Sequence, residues 1–197
     1  MGYERRKMSY YGDNFKESYE LVLKEIGVAL SKVEPEAVDS FVEAVTEAEQ
    51  VFFIGVGRVM LSLEAMAKRF AHLGIRTHCV GAINEPAITD KDVLIVGSGS
   101  GASLFPLGIA KKAKTFGAKI IHIGSNPESE MKDITDVFVR IPVRTKQYRP
   151  DEIDSKQPMT SLFDQSLLIF GDAVAKMMIE EKKIDMKGLW RNHANLE

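Results

Sequence analysis

Four short, almost wholly apolar runs constrain this chain most: VFFIG at 51–55, VLIVG at 93–97, KIIHIG at 119–124 and VFVRIP at 137–142. A strand with one face in water alternates apolar and polar residues. Unbroken runs such as these belong to strands covered on both faces, as in a parallel sheet. A weaker run, RTHCVG at 76–81, adds a fifth strand. Helical segments fall between them. The segment 60–73 closes on His72 and Gly74, and 102–116 closes on Lys114 and Gly117, each with a polar or basic last turn and a glycine beyond it. A long final helix covers about 160–182. Strand–helix alternation of this kind predicts an α/β fold with a five-stranded parallel sheet.

Two helices precede the first strand. Phe15, Tyr19, Val22, Leu23, Ile26, Leu30 and Val33 fall on one face of a helix over 15–33. Pro35 suits the first turn of a second, with Val38, Phe41, Val42 and Val45 as its inner stripe. The polar residues 1–14 read as a flexible N-terminal arm, and 15–197 as a single domain. Hydrophobic residues make up 45% of the 197, enough for a full core without disulfide or metal staples. The lone Cys79 excludes a disulfide framework and reads as a small buried hydrophobe. The net charge of −2 gives no basic excess for nucleic acid. No apolar run reaches the ~18 residues of a membrane span, and the polar start carries no signal-peptide core, so a cytoplasmic protein is expected.

In open parallel sheets ligands sit beyond the carboxyl ends of the strands. Two glycine loops stand there: Gly55-Val56-Gly57-Arg58 after the first strand, and Gly97-Ser98-Gly99-Ser100-Gly101-Ala102-Ser103 after the third. Each opens a helix, whose N-terminal N–H groups favour an anion. Glycines let the backbone approach closely, the hydroxyls of Ser98, Ser100 and Ser103 donate, and Arg58 offers a fixed bidentate cation. The pattern points to a phosphate group. Gly97-x-Gly99-x-x-Ala102 fits a loose dinucleotide fingerprint, but the acidic residue expected about 20 residues on is absent from IIHIGSN. Hydroxyls without a following lysine favour a terminal phosphate ester on a small molecule.

These residues resemble the sugar isomerase (SIS) domain family. The family's Ser-x-Ser-Gly-x-Thr loop stands here as Ser98-Gly99-Ser100-Gly101-Ala102-Ser103. GVGR, RFAHLG, NPES, QPMTSLFDQ and the terminal HANLE extend the resemblance to the 6-phospho-3-hexuloisomerases over most of the chain. The resemblance implies a flavodoxin-like α/β/α fold in three layers. It also implies a ketose phosphate isomerised through an enediol, a homo-oligomer (a tetramer), and no metal or organic cofactor. Gly57, Arg58, Ser98, Gly99, Ser100, Gly101 and Ser103 would hold the phosphorylated sugar. Asp164 and His193, the latter reaching a neighbouring subunit's site, would move protons.

The chain departs from the family pattern at the ligand side. Val59 and Met60 replace Ser-Gly after Arg58, and Ala82 stands for an acid, with Glu85 three positions on. Ala102 replaces a carboxylate, Thr160 replaces Gly, and Asp164 is one methylene shorter than the usual Glu. Such changes open a second reading, a protein that binds a phosphosugar with altered specificity or without turnover.

Overall fold

The computed structural model describes residues 2–196, with backbone alone for 2–10 and 13; Met1 of the expected arm and Glu197 of the HANLE tail lie outside the described residues. The chain folds in the order α1 (Gly2–Leu30), α2 (Pro35–Glu47), β1 (Val51–Ile54), α3 (Arg58–His72), β2 (Thr77–Cys79), β3 (Val93–Gly97), α4 (Leu104–Lys114), β4 (Lys119–Gly124), β5 (Val137–Arg140) and α5 (Ser161–Glu181). Short 3-10 turns lie at Lys132–Ile134 and Gly188–Asn192. Residues 2–14, expected as an arm ahead of the domain, are the first turns of α1.

The five strands form one sheet in the order β2-β1-β3-β4-β5. All pairs are parallel, with Phe52 opposite both His78 and Leu94, and Ile95 opposite Ile121. The chain leaves β1 toward β2, then returns to the other side of β1 as β3. The connections after β1 and β3 therefore diverge, and a crevice opens between them at the carboxyl edge of the sheet. Both glycine loops stand at that switch point.

Alternation within the apolar runs explains the layers. Val51, Phe53, Val93, Ile95, Ile121, Ile123 and Val139 face a core shared with α1, α2, α3 and α5. Phe52, Ile54, Leu94, Val96 and Ile120 face the other way, against Leu107, Ala110 and Ala113 of α4. Aromatic edges knit the thicker layer. Phe41 of α2 meets Phe70 of α3 at 6.3 Å and Phe170 of α5 at 5.3 Å, and Phe70 meets Phe53 of β1 at 6.2 Å. Each such pair adds about 0.5–1.5 kcal/mol beyond its buried area.

Helices α3 and α5 run in step. Arg58 pairs with Asp164, Met66 packs where a side chain on Gly171 would stand, and Arg69 pairs with Asp172. The two helices are thus parallel, and both N-termini reach the carboxyl edge of the sheet. Gly171 is what permits the approach, since a Cβ there would lie 2.8 Å from Met66 Cε. Only the C-terminal part of α1's apolar stripe joins the core, through Ile26 and Ala29; Phe15, Tyr19 and Leu23 remain exposed.

Candidate active site

The loop after β3 is built from its own hydroxyls and N–H groups. Gly101 N–H donates to both the carbonyl and the Oγ of Ser98, each at 3.1 Å. Ser98 Oγ–H donates to Ser103 Oγ at 3.2 Å, and Ala102 N–H donates to Ser100 Oγ at 3.3 Å. Gly101 takes φ +64, and a Cβ there would overlap Ser129, so only glycine fits the turn. Just past β4, Ser125 and Asn126 N–H groups donate to Gly99 O at 2.9 and 3.2 Å. Ser103 is the N-cap residue of α4, yet its side chain makes no cap hydrogen bond. The first N–H groups of α4 are therefore available to an anion.

His122 lies beneath this loop. Its Nε2 is 2.9 Å from Ser98 O, and because a carbonyl only accepts, Nε2 carries the proton. The ring is 1% exposed, and burial pushes its pKa down to about 4 against the opposing pull of the Ser98 hydrogen bond. A Cβ on Gly124 would overlap His122 Nε2 and stand 2.6 Å from both His122 Cε1 and Ser98 O. Gly124→Ala is accordingly expected to lower stability by about 1–3 kcal/mol, as overpacked sites do, with a fall of several degrees in thermal unfolding. An unchanged melting temperature would show that the loop yields freely.

Val56, Val59, Gly97, Ser98, Gly99, Ser100, Ser103, Thr145, Lys146, Thr160 and Phe163 line a cavity of about 180 Å³. Four of the expected residues, Ser98, Gly99, Ser100 and Ser103, thus share one wall. Gly57 (φ +57) caps α3 next to it, and Gly101 shapes the loop from behind. Arg58 does not line the cavity. Its Nε donates to Asp164 Oδ2 at 3.1 Å, while most of its side chain stays in solvent. Asp164, in the first turn of α5, is 4% exposed, and its Oδ1 is buried with no hydrogen-bond partner. Burial raises its pKa above the ordinary carboxylate value, and Arg58 partly offsets that rise. Ser62 Oγ–H fixes the same turn by donating to Asp164 O at 2.8 Å.

A single chain does not bring His193 to Asp164. His193 stacks on His72 at 5.1 Å and meets Trp190 at a tilt at 4.9 Å, at the far end of α3 from Arg58. Fifteen residues of helix put about 21 Å between those ends. Glu85, the acid nearest the altered Ala82 position, accepts from Gly81 N–H at 2.6 Å and closes its own turn. Val59 stands over both glycine loops, 3.1 Å from the place of a Cβ on Gly55 and 2.7 Å from one on Gly97. It narrows the crevice where a hydroxyl was expected. Among the described residues no group of three or more His, Cys, Asp or Glu is placed to hold a metal, and no helix is long and apolar enough to cross a membrane.

Sequence reasoning missed Thr145 and Lys146, which come from the connection between β5 and α5. The signal was present as Arg144-Thr145-Lys146 just past the fifth apolar run, where the crevice rule places ligands.

Comparison with known proteins settles the family. The sequence profile of the SIS domain matches residues 44–170. The chain belongs to the SIS domain family. It is 34% identical over 176 residues to the 3-hexulose-6-phosphate isomerase of Bacillus subtilis (strain 168), covering 89% of this chain and 95% of that one. It is also 34% identical over 186 residues to that of Mycobacterium gastri, covering 94% and 93%. The crystal structure of a Methanococcus jannaschii protein, with an inferred function of 3-hexulose-6-phosphate isomerase, superposes with a TM-score of 0.78 at 27% identity. That match covers 92% of this chain and 99% of the other. The five-stranded parallel sheet expected from the apolar runs, and the SIS fold that the resemblance implied, are the fold observed.

Proposed function

We propose that this protein is a 3-hexulose-6-phosphate isomerase, interconverting a 3-ketohexose 6-phosphate and fructose 6-phosphate. The observation that carries the reading is the Asp164 carboxylate, buried with an unpartnered oxygen at the N-terminus of α5, beside a serine-lined cavity at the switch point. The serine hydroxyls and the N-terminus of α4 hold the phosphate. Asp164 removes the proton from C2, the electrons move onto the C3 carbonyl oxygen, and that oxygen takes up a proton to give a 2,3-enediol. Protonation at C3 and loss of the O2 proton complete the ketose. The exposed Arg58 covers Asp164 in the free protein, and swinging its guanidinium out into solvent releases the carboxylate.

His193 enters the same reading as the hydroxyl-proton carrier of a neighbouring copy, in a homotetramer working in the cytoplasm. The exposed apolar stripe of α1, with Tyr11, Phe15, Tyr19 and Leu23, supports association between copies. The test supplies 3-hexulose 6-phosphate and follows fructose 6-phosphate in a coupled assay. Turnover at ordinary enzymic rates is expected. The Arg58–Asp164 ion pair favours one alternative, a phosphosugar-binding protein whose carboxylate stays locked. Thermal stabilisation by fructose 6-phosphate without any turnover would establish that alternative and overturn the isomerase reading.

A further inference from the structure

Arg58, the cation expected at the phosphate, is turned to Asp164 and lies outside the cavity wall. A phosphate ester carries nearly two negative charges, and the cavity lining contains no arginine and no acid. Its one charged side chain is Lys146. We propose that Lys146 is the cation that receives the substrate's phosphate, so that the charge comes from the connection after β5 rather than from the loop after β1. This rests on the reading above that the substrate is a phosphorylated sugar.

The ion pairing around Lys146 singles it out. Three neighbouring arginines are ion-paired: Arg140 and Arg149 share Asp151, and Arg144 pairs with Asp154. Lys146 has no ion-pair partner among the described residues, although acidic side chains are plentiful in the same connection. A lysine left unpaired beside three serines is a charge kept available for an incoming anion.

The backbone that presents Lys146 is held on both sides. Glu152 accepts from Thr145 N–H at 2.9 Å and Thr145 Oγ1–H at 2.8 Å, and from Arg149 N–H at 3.1 Å and Ser125 Oγ–H at 3.3 Å. Gln147 N–H donates to Thr145 Oγ1 at 3.2 Å, and Asn126 Nδ2–H donates to Gln147 Oε1 at 2.8 Å. Ser125 and Asn126 are the residues whose N–H groups hold Gly99 O. One network therefore ties the Lys146 turn to the serine loop on the opposite wall. The anchoring lies in Thr145, Gln147 and Glu152, and the Lys146 side chain itself remains exposed. Glu152 is a positioning residue in this arrangement and touches no substrate.

The test compares wild type, Lys146→Gln and Lys146→Arg by titration calorimetry at fixed ionic strength. The probes are fructose 6-phosphate, inorganic phosphate and unphosphorylated fructose. Loss of one charge-assisted contact is expected to weaken both phosphate probes by about 10- to 100-fold in Lys146→Gln. Lys146→Arg should recover most of that loss, and wild-type affinity should fall more steeply with salt than that of Lys146→Gln. Because the exposed Lys146 side chain makes no hydrogen bond or ion pair among the described residues, both variants should keep the wild-type melting temperature. Equal affinity of wild type and Lys146→Gln for fructose 6-phosphate would overturn the assignment while leaving the isomerase reading intact. Weakened binding in a protein that turns nothing over would uphold Lys146 and remove the isomerase. A wild type that binds neither phosphate probe would overturn both.

Discussion

Asp164→Asn is expected to lower the isomerisation rate by about 10²- to 10⁴-fold, the usual contribution of a positioned general base, without unfolding the protein. Asparagine has nearly the shape of aspartate, and its carbonyl oxygen can still accept from Arg58 Nε. The charge it removes is a buried one whose ionisation is already opposed by burial. The partner left behind, Arg58, is mostly solvated and does not become a stranded buried cation. Activity and stability should therefore separate, with kcat collapsing and the melting temperature holding. The pH profile offers a sharper check. The base must be ionised to act, so its raised pKa places the acid limb of the rate above the ordinary aspartate value. Arg58 holds that pKa down, so Arg58→Met should move the acid limb to higher pH. Unchanged turnover in Asp164→Asn would exclude Asp164 from proton transfer.

The sheet was legible because its information is local. Each apolar run is a strand within a residue or two, and the two glycine loops fall at the switch point that a parallel order makes. The serine wall was legible for the same reason, since Ser98, Ser100 and Ser103 are neighbours in sequence. Lys146 was not, because what marks it is the pairing of Arg140, Arg144 and Arg149 with acids that only folding brings near. Arg58 shows the converse. Its position beside a glycine loop suggested a phosphate ligand, but the parallel packing of α3 on α5 gives it a carboxylate 106 positions away. Periodicity likewise placed an apolar face on α1 without saying what covers it, and Phe15 and Leu23 stand in solvent in the single chain. His193 belongs to the same class. Spacing cannot show that the tail packs on His72, at the end of α3 opposite the serine loop.

His122 makes the second large effect one of acidity. In the unfolded chain its imidazole titrates near 6.5, whereas in the native protein burial holds the value at about 4. Between those two pH values the unfolded state binds a proton that the native state refuses. Stability must therefore fall as pH drops from 6.5 to 4, by about 3 kcal/mol for this one group, and level off below 4 when both states are protonated. For a domain of this size that corresponds to a fall in melting temperature of about 10 °C. Asp164 works in the opposite sense, since its raised pKa makes the native state the better proton acceptor just above pH 3.8. A comparison with His122→Gln isolates the histidine. Glutamine does not titrate, and its amide can still donate to the Ser98 carbonyl, so the serine loop keeps a support. The two should melt at similar temperatures at pH 7, and the wild type should melt several degrees below the variant toward pH 4, as it loses stability that the variant retains. Parallel curves would mean that the His122 ring reaches solvent, and the loop above it would then have to be more open than its hydrogen bonds allow.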